Sequence, residues 1–269
     1  MMIPFFSEQG RIQAARILRE GMLCAFDFDG TLSPFMGYEN ARLPADVCER
    51  LVRLQSMTPV AIVTVRALSD IRTRLPFKPD YLVANHGQEG VPGRNKDSEQ
   101  YRRTVDCWAD ALKKALSDAS RYDRGVSLDN KRYSLAVHYR KAADYEATEH
   151  RLTRLFAEVA PQAHILPGKF VYNLIPPGAP DKGDALLSLM KAAGAPTALY
   201  VGDDETDEDV FALDSSSILT VRIEKSAHSH ARCYLDSQKD IISLLDFVIG
   251  TLETSRKAGD ITTGERKPT

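Results

Sequence analysis

The chain has 269 residues, of which 43% are hydrophobic and 27% charged, with a formal net charge of −2. This is the composition of a globular protein with one large domain or two modest ones, and it gives no electrostatic case for nucleic acid or an anionic membrane as partner. The four cysteines, Cys24, Cys48, Cys107 and Cys233, form no CxxC pair, which speaks against zinc binding or a disulfide framework and for a reducing cytoplasm. At the N-terminus a short apolar start without a basic leader runs into a helix-like pattern, so no signal peptide is expected. No run of about 18 apolar residues offers a membrane span.

In chain order, residues 22–28 read as an apolar strand. Residues 44–55 carry Val47, Leu51 and Leu54 at helical spacing, 59–64 form a second apolar strand, 68–75 a helix, and 81–84 a third strand that ends in Asn85-His86-Gly87. The later part repeats the alternation: helix 181–193, strand 197–202, helix 206–213, strand 217–223 and helix 239–252. Continuous apolar strands between helices predict an α/β fold with a parallel, Rossmann-like sheet covered on both faces and a site beyond the carboxyl ends of its strands. The middle differs. Residues 101–116 and 142–159 read as helices, 132–139 as an alternating strand, and 163–166 with 169–175 as a hairpin turning at Pro167-Gly168. The expected organisation is a core of 1–100 with 177–269 and an inserted α+β cap of 101–176, with antiparallel strands and hinges near 91–99 and 176–180. Attached by two linkers, such a cap would act as a lid that excludes water. The tail 253–269 is polar and reads as frayed.

Asp27 and Asp29 stand two residues apart at the end of the first apolar strand, where strand geometry would put both on one face. Two buried like charges repel and lose hydration, a cost that a bound cation or a chemical task offsets. Gly30 and Thr31 make a sharp exit from the strand. Thr64 ends the second strand and is followed by Val65-Arg66, Asp181-Lys182-Gly183 precedes a helix, and Gly202-Asp203-Asp204-Glu205-Thr206-Asp207-Glu208-Asp209 follows a strand. The last run also fits a helix start, with Thr206 and Asp209 as a capping box and Glu208 and Asp209 solvated. Arg66 is open between a phosphate contact and a surface ion pair, and His86 between lining the site and packing a loop.

In this order, the four motifs resemble those of the haloacid dehalogenase superfamily of aspartate-nucleophile phosphotransferases. The cap position matches its sugar-phosphate phosphatases. The resemblance is nearest to the trehalose 6-phosphate phosphatase family and covers about residues 20–250, including Asn85-His86-Gly87 with Glu89, the run Ser134-Leu135-Ala136-Val137-His138-Tyr139-Arg140, and Gly168-Lys169. It implies Asp27 as nucleophile and Asp29 as general acid and then base, with Thr64 and Lys182 on the phosphoryl group. It implies Mg²⁺ held by Asp27, the Asp29 carbonyl, Asp203 and Asp207, the last directly or through water. Gly30, Thr31, Arg66 and His86 are further substrate-binding candidates in the core, and Lys131, His138, Arg140, Lys169 and Asn173 in the cap.

Two departures stand out. Thr64-Val65-Arg66 replaces the family's Ser-Gly-Arg, keeping the hydroxyl but stiffening the turn. Asn173 and Ile175 stand where the family carries a glutamate and an arginine, which points to a changed sugar preference. The expected activity is Mg²⁺-dependent hydrolysis of trehalose 6-phosphate. The alternatives are another sugar phosphate, such as sucrose 6-phosphate or a glycosyl phosphoglycerate, or a non-catalytic sugar-phosphate binder. The expected partner is a small sugar phosphate, with no nucleic acid and no membrane, and the protein is expected to be a cytoplasmic monomer or weak dimer.

Overall fold

The computed structural model describes residues 2–34, 40–93 and 98–263. The chain divides into two compact units, Met1–Pro92 with Pro180–Thr269, and Gly93–Ala179. The expected joins at 100/101 and 176/177 thus fall at 92/93 and 179/180. Residues 94–97 of the expected first hinge lie outside the described residues.

The first unit is built on a seven-stranded sheet of β1 (Ile3–Pro4), β2 (Leu23–Phe26), β3 (Val60–Val63), β4 (Tyr81–Val83), β9 (Ala198–Gly202), β10 (Ile218–Ile223) and β11 (Cys233–Leu235). Their order is β1-β11-β10-β9-β2-β3-β4, and every neighbouring pair is parallel. The apolar runs are continuous because both faces are covered. Within β2, Cys24 and Phe26 join one core cluster while Leu23 and Ala25 join another, the period-2 alternation of a strand buried on both sides. The first cluster includes residues of α1 (Glu8–Ile17), α2 (Ala45–Gln55) and α8 (Ile241–Thr263), and the second those of α6 (Lys182–Ala193) and α7 (Glu208–Phe211). The chain runs from β2 outward to β3 and β4 on one side and returns through β9, β10 and β11 on the other. The crevice between β2 and β9 is therefore the switch point where open α/β sheets bind ligands.

The second unit is a four-stranded antiparallel sheet of β5 (Ser127–Asn130), β6 (Leu135–His138), β8 (Val171–Ile175) and β7 (His164–Gly168), in that order. One face packs on α4 (Ser98–Leu116) and α5 (Tyr145–Val159) through Leu135, Val137, Leu174, Val105, Leu112, Leu152 and Phe156. By strand alternation Ala136, His138 and Asn173 occupy the other face.

Two expectations are corrected. The hairpin turns at Lys169-Phe170, because Gly168 pairs with Val171 and Pro167 with Tyr172. Proline is tolerated there because β7 is an edge strand, where its missing N–H breaks no ladder. The tail does not fray at 253, since α8 continues to Thr263. Glu253 pairs with Arg53 of α2 at 2.6 Å and Arg256 donates to the Met57 carbonyl at 2.8 Å. Among the described residues, no helix is long and apolar enough to cross a membrane.

Candidate active site

Five strands of the parallel sheet deliver polar residues to one edge. Asp27 follows β2, Thr64 and Arg66 follow β3, Asn85 and His86 follow β4, Asp203 follows β9, and Glu224 follows β10. Asp27, at 4% exposure, lies on the parity of Leu23 and Ala25, the face covered by α6. There it meets Lys182, the first residue of α6, whose start is capped by the Asp181 carboxylate accepting from the Asp184 amide at 2.8 Å.

The Lys182 ammonium is fully buried and donates to Asp27 Oδ1 and Asp207 Oδ1, each at 2.8 Å. Asp207 Oδ1 also accepts from the Tyr200 hydroxyl at 2.6 Å, and its Oδ2 accepts from the Asp203 and Asp204 amides at 2.9 Å each. Both oxygens are thus committed, and Asp207 locks the 203–204 loop onto Lys182. Asp203 completes the group: one oxygen each from Asp27, Asp203 and Asp207 lie within 4.8 Å of one another. Its carboxylate accepts from Thr31 Oγ1 at 3.1 Å and presses on the Gly30 backbone, where an added Cβ would lie 2.1 Å from Oδ2. Gly30 also holds φ +80°, so both the turn and the close approach require glycine.

The electrostatics are those of a site with surplus negative charge. Burial pushes the Asp27 carboxyl well above the usual carboxylate range; Lys182 offsets part of this, and Asp207 and Asp203 add to it. Asp203 is pushed up to about 7, by burial first and then by Asp207 and Asp204. Burial alone would lower Lys182, but Asp207 and Asp27 outweigh it, so the ammonium holds its proton more tightly than usual. With both Asp207 oxygens occupied, the Asp27 and Asp203 carboxylates are the hard oxygen donors here that could hold a divalent cation.

Asp29 takes a different partner from Asp27. The strand ends at Phe26, so strand alternation no longer governs Asp29, which enters the turn with Gly30. Its two oxygens accept from Arg66 Nε and Nη2, both at 2.6 Å. Arg66, left open above between a phosphate contact and a surface ion pair, is fully buried in an ion pair and also donates to Asp70 Oδ2 at 2.6 Å. Thr64 is buried, and its Oγ1 accepts from the Arg66 amide at 3.2 Å. Its carbonyl accepts from the His86 amide at 3.2 Å. Asn85 and His86 hold φ of 54° and 60°, a left-handed pair uncommon for non-glycine residues. His86 is buried in this loop.

The expected capping box is displaced. The helix starts earlier, with a turn at Glu205–Asp207, so the box is formed by Asp204 and Asp207 rather than by Thr206 and Asp209. Of the candidates in the second unit, Lys131 is buried and Arg140 exposed, and the two belong to the field that lowers the His138 pKa after burial itself. Lys169 is exposed in the hairpin turn, and Asn173 sits mid-strand opposite Ala136 and Leu166. Three residues of the core site were not singled out from sequence: Tyr200, Asp70, and Gln238, whose Nε2 donates to the Thr31 carbonyl at 2.9 Å. Asp70 carried a signal, standing four residues after Arg66. Tyr200 carried one also, as the polar-tipped residue of an apolar strand sharing the parity that faces α6.

A parallel sheet with paired acids after its switch-point strand and a helix-start lysine across from them defines a phosphatase-type fold of the haloacid dehalogenase class. Solved structures agree on the fold. A trehalose-6-phosphate phosphatase related protein matches with a TM-score of 0.69 at 22% identity, over 85% of this chain and 97% of that one. The C-terminal domain of the Candida albicans trehalose-6-phosphate phosphatase also matches at 0.69, with 18% identity, over 93% of this chain and 99% of that one. In sequence, residues 25–239 match the trehalose-phosphatase family model. The trehalose-phosphate phosphatase of Mycobacterium avium is 32% identical over 194 residues, 69% of this chain and 49% of that protein. The chain belongs to the trehalose-phosphatase family. It spans about half or less of the length of the first curated relatives it matches, down to 15% for an uncharacterized glycosyl hydrolase of Mycobacterium tuberculosis that is 34% identical over 200 residues.

Proposed function

We propose that the chain is a Mg²⁺-dependent phosphatase that hydrolyses trehalose 6-phosphate to trehalose and phosphate through an aspartyl phosphate on Asp27. The observation that carries this is the buried Lys182 bridge between Asp27 and Asp207 beside Asp203. A structural ion pair needs one acid for one lysine, whereas a phosphoryl-transfer site needs a carboxylate nucleophile, a fixed cation and room for a second cation. Asp27, Asp203 and the Asp29 carbonyl would hold Mg²⁺, while Asp207 supports them through Lys182 and the 203–204 amides. When bound, the metal supplies neutralising charge to the phosphoryl oxygens.

The chain's own residues do the rest. An Asp27 oxygen attacks phosphorus in line. As the bond to the leaving oxygen breaks, its electron pair stays on that oxygen, which takes a proton from Asp29. Water then attacks the phosphorus of the acyl phosphate and gives a proton to Asp29, and the P–O electron pair returns to Asp27. Lys182 and Thr64 bind the phosphoryl oxygens. Lys131, His138, Arg140, Lys169 and Asn173 would read the sugar.

Phosphate release from trehalose 6-phosphate, followed with Mg²⁺ and with EDTA, tests this. Release is expected to vanish in EDTA and to fall by at least about a thousandfold in Asp27→Asn. Undiminished release in either case overturns the proposal. A second substrate is favoured by one observation: Asn173 and Ile175 leave β8 without a charged residue. A panel including sucrose 6-phosphate and a glycosyl phosphoglycerate, ranked by kcat/KM, decides between the sugars.

A further inference from the structure

Arg66 does more than pair with an acid. Its guanidinium is fully buried and grips Asp29 with two parallel hydrogen bonds of 2.6 Å, the bidentate geometry that gives the strongest carboxylate pairing. On another edge Nη1 donates to Asp70 Oδ2 at 2.6 Å, and Asp70 is itself clasped by Arg74 at 2.7 Å. The guanidinium also lies over the Phe28 ring, 5.8 Å from its centroid. The two ends of the Arg66–Asp29 pair are therefore unequal. Arg66 is held by Asp70, Phe28 and burial, while the Asp29 side chain is 18% exposed and sits beside a glycine turn.

We propose that Arg66 is a positioning residue that parks Asp29 between turnovers, and that Asp70 is the counter-ion that lets Asp29 leave. This rests on the hydrolytic function proposed above. A carboxyl whose two oxygens both accept from one guanidinium has neither oxygen free to donate to a leaving group. Asp29 must exchange Arg66 for the substrate's ester oxygen, and as it leaves the guanidinium it takes from solvent the proton that it then gives to the leaving oxygen. If Arg66 had no other partner, the exchange would strand a buried guanidinium, which is strongly unfavourable. With Asp70 in place the guanidinium stays paired in both positions, so the swing of Asp29 is close to balanced. Asp70 touches neither substrate nor metal in this scheme; it acts only through Arg66.

The test compares two esters that differ in their need for the acid. Trehalose 6-phosphate leaves as an alkoxide and needs a proton, whereas p-nitrophenyl phosphate leaves as a stable phenolate. Removing the competing anion in Asp70→Asn tightens Arg66 on Asp29. The expected result is a kcat on trehalose 6-phosphate at least tenfold lower with KM within twofold, and a pre-steady-state burst of p-nitrophenolate, which reports the acyl-phosphate-forming step alone, within twofold of wild type in rate. Combining Asp70→Asn with Arg66→Lys, which keeps the charge but loses the fork, is expected to recover at least half of the lost kcat. Equal slowing of trehalose 6-phosphate turnover and of the p-nitrophenolate burst, no slowing of either, or failure of the double variant to recover overturns the latch while leaving the phosphatase standing. Absence of turnover of both esters by the wild-type chain overturns the function and the latch with it.

Discussion

At the scale of single residues, the site is organised by one buried cation among three acids. Lys182 has no solvent to fall back on, and its two partners are almost as deeply buried, at 5% and 0% side-chain exposure. Breaking such a pair by removing one partner leaves uncompensated charge, which typically costs about 3–5 kcal/mol. Lys182→Met is accordingly expected to lower the free energy of unfolding by about that amount at pH 7. Urea unfolding measures it; a loss below about 1 kcal/mol would mean that the acids are not held by the lysine. Gly30 makes a second prediction. Alanine there meets both an unfavourable φ and the Asp203 carboxylate, so Gly30→Ala is expected to displace Asp203 and weaken Mg²⁺ binding at least tenfold by isothermal titration. Unchanged Mg²⁺ affinity would separate Asp203 from the metal.

At the scale of elements, α3 (Leu68–Arg74) is an electrostatic clasp as much as a helix. Asp70 lies between Arg66 and Arg74 at i−4 and i+4, which brings both guanidinia to one carboxylate. Burial pushes the Asp70 carboxyl up, but the hydrogen bonds from Arg74 and Arg66 outweigh it and hold it below the ordinary value of 3.8. A group with a depressed folded pKa adds stability above its unfolded pKa and loses that contribution as pH falls through the folded value. The stability difference between wild type and Asp70→Asn should therefore be constant near neutrality and shrink below about pH 4, as read by urea midpoints across pH. A difference that grows on acidification would reverse the sign assigned to Asp70.

The elements also mark how far the sequence alone could carry the fold. The strands β2, β3, β9 and β10 were readable because burial on both faces makes them unbroken apolar runs. The two-residue β1, the three-residue β11 and the polar Ser127–Asn130 of β5 were not, since their place is set by neighbours rather than by their own pattern. The site divides in the same way. Asp27, Lys182 and Asp203 were readable as types at motif positions. The divergence of Asp29 toward Arg66 was not, because it depends on where β2 stops and on a contact across 37 residues.

At the scale of the whole molecule, the two units have separate hydrophobic cores, one pair of clusters on the faces of the parallel sheet and one between the antiparallel sheet and its helices. Phosphoryl chemistry, if it belongs to the parallel sheet, is then separable from sugar choice. Asn173 tests the separation because its neighbours in register, Ala136 and Leu166, carry no polar side chain to compensate for its loss. A neutral hydrogen bond to a sugar hydroxyl contributes about 0.5–1.5 kcal/mol, or roughly two- to twelvefold in kcat/KM. Asn173→Ala is expected to lower kcat/KM for the preferred sugar phosphate within that range while leaving p-nitrophenyl phosphate, which has no sugar, unchanged. Restoring charge with Asn173→Glu is expected to shift the ranking toward trehalose 6-phosphate if Asn173 sets the preference. Parallel losses on both esters would mean that Asn173 acts on the chemistry instead of the sugar, and that the two units do not divide the work.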